Sequence, residues 1–156
     1  MSCQVLAVWD GEYLSGVILS DEELTPYIED TLNELEFLMG SVTSKYGAMR
    51  AAFGHPKPWK IKYVEVGNED NLNGGLASYT SYRYQRYYEA ISAKYPQISV
   101  MASTVLIDVP AGQSVDYHQY STPDAFITQF NWFDQNPVGS KTLIGMVTGL
   151  SFFMHY

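Results

Sequence analysis

A chain of 156 residues, 46% of them hydrophobic and 17% charged, is long enough for one globular domain and too apolar for a disordered one. Its formal net charge of −8 disfavours nucleic acid or an anionic membrane surface as a partner and leaves neutral sugars compatible. The single cysteine, Cys3, excludes a disulfide framework, and three scattered histidines argue against a metal site or cofactor. No apolar run has the length of a membrane span, and the first residues lack the pattern of a signal peptide, so the chain reads as starting inside a strand.

Val5 to Trp9 is a short apolar strand that Asp10-Gly11 ends, and Trp9 at its tip is either core or a platform for a sugar ring. After an irregular segment to Ser20, Thr25 and Pro26 mark a helix start. Ile28, Leu32, Leu35, Leu38 and Met39 form its apolar stripe, and Gly40 stops it. The prolines of Gly47 to Trp59 predict a stretch without regular helix, in which His55 is a loop histidine.

The central stretch is Lys62-Tyr63-Val64-Glu65-Val66-Gly67-Asn68-Glu69-Asp70. It reads as a strand buried on both faces that runs out at Gly67 and presents Asn68 and Glu69 at its carboxyl tip. Gly67 leaves room for a ligand to approach the backbone. Glu69 is either a catalytic carboxylate at a strand end or a solvated turn acid followed by Asn71 and Gly74-Gly75. Glu65 shares its strand parity but lies deeper, and a charge there is costly unless paired, so it reads as structural with a basic partner.

A second helix, capped by Ser78 or Ser81, carries the stripe Tyr84, Tyr87, Tyr88, Ile91 and Tyr95 and stops at Pro96. Ile98 to Val105 and Val115 to Tyr120 are further strands. Pro123 to Phe133 is a third helix with Phe126, Ile127 and Phe130 on one side, and a strand begins at Lys141. This alternation predicts an α/β fold of parallel strands with helical crossovers.

Five separated motifs occur in one order: Leu6-Ala7-Val8-Trp9, Leu32-Asn33-Glu34-Leu35-Glu36-Phe37, Tyr63-Val64-Glu65-Val66-Gly67-Asn68-Glu69-Asp70, Tyr82-Arg83-Tyr84, and Asp116-Tyr117-His118-Gln119-Tyr120. Together they resemble the glycoside hydrolase family 51 α-L-arabinofuranosidases of the fungal type, from about Val5 to Gly145. The resemblance implies a partial (β/α)8 barrel, about strands three to seven, over residues 1–145. It implies a retaining hydrolase, extracellular by family, that releases terminal α-L-arabinofuranosyl residues from oligo- or polysaccharides. It implies Glu69 as the acid/base and Asn68 as the partner of the sugar 2-hydroxyl. His118 and Tyr120, otherwise a structural pair, would position the nucleophile and the furanose ring.

In that family the strand at Thr142-Leu143-Ile144-Gly145 continues with the nucleophilic glutamate. Here Met146 follows, and residues 146–156, expected to be an unrelated tail, contain no acid. The expectation is therefore a hydrolase by family that is inactive for want of its nucleophile. The alternative is a non-catalytic, sugar-binding remnant or a mis-called gene product.

Overall fold

The computed structural model of the chain describes residues 5–11, 17–135 and 142–148. Five strands form one sheet in sequence order: β1 (Val5–Val8), β2 (Tyr63–Val66), β3 (Ser99–Ala102), β4 (Ser114–Ser121) and β5 (Thr142–Thr148). Every neighbouring pair is parallel. The expected α/β layout of parallel strands and helices is present. β5 spans the position expected as a boundary, since Gly145 pairs with His118 and Met146 with Gln119.

Helix α1 (Thr25–Met39) follows a 3-10 turn at Glu22–Leu24 and lays Ile28, Leu35 and Thr31 into the core. Pro26 in its first turn fits because those N–H groups have no intrahelical acceptor. The stretch 47–59 departs from expectation, because α2 occupies Lys45–Ala52. Ser44 caps it by accepting from Gly47 N at 3.2 Å, and Pro56 and Pro58 lie beyond its end, where they cannot break it.

The buried guanidinium of Arg50 then fixes the loop into β2. Its Nε donates to His55 O (2.9 Å), Nη1 to Phe37 O (2.7 Å) and Leu38 O (3.3 Å), and Nη2 to Pro56 O (3.1 Å). The loop enters the amino end of β2, so His55, stacked on Trp59 at 3.9 Å, lies at the opposite end of the sheet from Glu69.

The tyrosine helix begins earlier than its serines suggested. It runs through α3 (Leu76–Ser78), a π-helical turn (Tyr79–Arg83) and α4 (Tyr84–Lys94). Ser78 is no cap: its Oγ donates to Gly75 O and accepts from Arg83 Nε. Tyr79, Tyr84, Tyr87 and Ile91 pack on Val64, Val66 and Val100, all of them fully buried or nearly so. Each such aliphatic side chain contributes about 1.5–3 kcal/mol on burial.

Only one face of β2 is fully buried, because Tyr63 and Glu65 on the other face remain half-covered among the described residues. The last helix, α5, is shorter than expected, Pro123–Thr128, and Ile127 and Phe130 are exposed rather than packed.

Candidate active site at the carboxyl ends of the strands

Asp10, Gly67 and Asp70 meet where β1 and β2 end. Gly67 takes φ +83°, and a Cβ there would lie 1.9 Å from Asp70 Oδ2 and 2.9 Å from Asp10 Oδ2. The space on the Cβ side of Gly67 is therefore filled by carboxylates, while the glycine itself also lines the first cleft described below. Arg83, fully buried on the π-turn, pairs through Nη1 with both Asp10 and Asp70 and donates from Nη2 to Gly75 O at 3.0 Å. Ser103 Oγ donates to Asp70 Oδ2 at 2.5 Å. Tyr79 Oη donates to Val66 O (2.6 Å) and accepts from Ser103 N (2.9 Å), so one hydroxyl joins the ends of β2 and β3. Burial pushes the Tyr79 phenol well above its ordinary range, so it stays a donor.

On this platform Glu69 adopts φ 53°, a left-handed conformation that is uncommon without glycine and that concentrates at functional sites. Its Oε1 lies 3.4 Å from His118 Nδ1. On the other side of the ring, Nε2 lies 2.6 Å from Asp116 Oδ2. Asp116 is 3% exposed, whereas Glu69 and His118 are each about one quarter exposed along their side chains. The imidazole thus bridges a buried carboxylate and one that reaches solvent.

Glu65 belongs to this group, and among the described residues the basic side chain beside it is that of His118. Its carboxyl lies beside Asp116 and His118, with donor atoms of the three all within 4.8 Å of one another. Burial first, and then the Asp116 charge, raise the Glu65 carboxyl to about 7, while His118 opposes the shift.

Two adjoining clefts open over these groups. One, of about 350 Å³, is lined by Trp9, Asp10, Asn68, Glu69 and Asp70 among others. The other, of about 380 Å³, is lined by Glu69, Ser103, Asp116, His118 and Tyr120 among others. Glu69 borders both. Trp9 is 38% exposed and packs edge-on against Tyr27 at 4.8 Å, so it is part core and part cleft wall. Tyr120 is 70% exposed at the far rim.

All five residues singled out in the sequence therefore lie on these two clefts. Asp10, Asp70, Arg83 and Asp116 join them from in or beside the same motifs, where nothing in the sequence gives them a site role. Asp116 is the exception, since positions 116, 118 and 120 share one face of a strand.

The sequence model of the family described as "Alpha-L-arabinofuranosidase 1 domain" matches residues 2–138. A probable alpha-L-arabinofuranosidase A of Aspergillus niger is 49% identical over 138 residues, 83% of this chain and 22% of that protein. Its counterpart in Aspergillus flavus is 42% identical over 149 residues, 90% of this chain and 24% of that protein. The arabinose-bound MgGH51 α-L-arabinofuranosidase superposes with a TM-score of 0.76 at 33% identity, over 88% of this chain and 22% of its own. The chain thus spans about a quarter of the length of the curated relatives it matches.

Proposed function

The chain belongs to the alpha-L-arabinofuranosidase 1 domain family, and from that premise we propose that it forms about strands three to seven of a (β/α)8 barrel that hydrolyses terminal α-L-arabinofuranosyl linkages with retention. The observation that carries this reading is the contact of Glu69 with His118 at the strand tips, beside Asn68 and two clefts. Arabinan and arabinoxylan side chains are the proposed substrates, outside the cell.

In this reading Glu69 in its carboxylic acid form protonates the glycosidic oxygen as the bond to the anomeric carbon breaks. It then takes a proton from the water that releases the sugar. Asn68 binds the 2-hydroxyl, a contact that strengthens in the transition state. His118 orients the Glu69 carboxyl, Tyr120 holds the furanose ring, and Trp9 walls the sugar site. As the glycosidic bond breaks, a second carboxylate, about 5–5.5 Å from the first, must attack the anomeric carbon, and the water later displaces that carboxylate. Met146 stands where the resemblance places it, and residues 146–156 hold no Asp or Glu. We take 1–145 as the hydrolase-derived part and 146–156 as a distinct tail.

That same observation favours a second reading, a sugar-binding remnant without turnover. Titration calorimetry with arabino-oligosaccharides and hydrolysis of an aryl arabinofuranoside, on the chain and on Met146→Glu, separate the two. Binding in both with hydrolysis only in Met146→Glu supports the hydrolase site and identifies the missing group. Binding without hydrolysis in either supports the remnant. No binding in either refutes both.

A further inference from the structure

We propose that Glu65 and Asp116 hold one proton between them, and that this pair positions His118 against Glu69. The geometry starts from two orphaned atoms. Glu65 Oε1 and Asp116 Oδ1 are buried and have no hydrogen-bond partner among the described residues. They belong to side chains of one three-residue cluster. Two bare carboxylates this close repel, and each orphaned oxygen forfeits the hydration it had in the unfolded chain. One proton shared between them removes a charge and gives both oxygens a partner.

Asp116 then spends its second oxygen on His118. Nε2 lies 2.6 Å from Oδ2, so the ring proton is held there and Nδ1 is left facing Glu69 Oε1 at 3.4 Å. When Glu69 carries a proton as the acid of the proposed function, that proton lies on the contact between Oε1 and Nδ1. Transfer between these two sites leaves the pair's net charge unchanged. The groups facing Glu65 are Asp116 and His118 from β4 and Asp70 from the β2 tip, which shares the Arg83 cation with Asp10. Burial and the neighbouring charge hold the Glu65 proton up to about 7. Loss of the shared proton places a second negative charge beside His118 and draws the outer proton from Glu69 onto the ring.

Glu65 and Asp116 are thus positioning residues. Only the assignment of Glu69 as the acid they serve rests on the proposed hydrolase function.

The test needs no turnover. Side-chain carboxyls labelled with 13C and histidine rings labelled with 15N are titrated by NMR, with His118→Gln assigning the ring. The expected result is one carboxyl with a midpoint near 7 and a His118 ring protonated at Nε2. Glu65→Gln, a permanently neutral mimic of the protonated acid, should remove that midpoint and keep the Nε2 proton. Asp116→Asn should lose the Nε2 preference. Wild-type carboxyls that all titrate near ordinary values of about 4 overturn the shared proton, whatever the variants do. Stoichiometric Zn²⁺ or Ca²⁺ binding that Glu65→Gln abolishes would put a cation in the proton's place and overturn it equally. A chain that shows the midpoint yet binds no sugar keeps this inference and loses the hydrolase reading.

Discussion

A Cβ at Gly67 would meet Asp70 Oδ2 at 1.9 Å, so these two residues occupy a space that admits only a hydrogen at the first of them. Gly67→Ala combines that collision with a φ of +83° that an L side chain resists. We expect a loss of roughly 2–5 kcal/mol, strain and overpacking together, read from urea unfolding. Because Asp70 is the atom struck, Gly67→Ala with Asp70→Ala should cost less than the sum of the two singles. Strict additivity would show that the clash is relieved elsewhere.

Arg83→Met should lower stability by about 3–5 kcal/mol, since it leaves Asp10 and Asp70 buried without their cation. Adding Asp10→Asn and Asp70→Asn to the same chain should recover part of that loss. If the single substitution lowers the unfolding free energy by less than a tenth of that, the triad is not what joins β1, β2 and the π-turn.

Glu69→Gln, placed in the Met146→Glu background, should slow hydrolysis of poor leaving groups by about 10²–10⁴-fold, the usual weight of a general acid. An activated aryl arabinofuranoside should lose less in the bond-breaking step. Equal losses on both substrates would argue that Glu69 does not protonate the leaving oxygen. A similar loss in Glu65→Gln, with the fold intact, would move the acid four residues deeper.

Glu65 also makes stability depend on pH. The folded chain keeps its proton up to about 7, whereas 4.5 is its ordinary value. Between these values the folded state binds more protons than the unfolded one, so stability falls as pH rises through the window and levels off above it. Glu65→Gln carries no such proton. Its melting temperature relative to wild type should therefore climb by a few degrees from pH 4.5 to 7. A difference that stays flat across the window would contradict the raised value.

The parallel order of strands and helices was legible because hydrophobic period and turn residues act locally. The Ile28–Leu35 stripe and the β2 valines needed no partner to be read. Helix α2 was missed because Pro56 and Pro58 were given reach beyond their own positions, whereas Ser44 and the chain to Ala52 lie clear of them. Glu69, Asn68 and His118 were found through motifs. The Arg83 triad and the Glu65–Asp116 contact were not, since each joins residues that only the sheet brings together. Ile127 and Phe130 were assigned a buried side from spacing alone, and spacing does not say whether anything lies opposite.

Arg50 gives the two ends of the sheet different chemistry. Its acceptors are all main-chain carbonyls, which neither titrate nor change charge across any ordinary acidity. The loop it fastens should keep its shape in acid and in concentrated salt alike. The opposite end is held by carboxylates, imidazole and guanidinium, whose mutual attraction depends on who carries a proton. Strong acid, below the window in which Glu65 titrates, should therefore loosen the molecule from the cleft inward, leaving α1, α2 and the entry to β2 as the last native portion. In amide exchange at low pH, protection would persist around Leu38 and Trp59 after it has faded around Gly67 and Asp70.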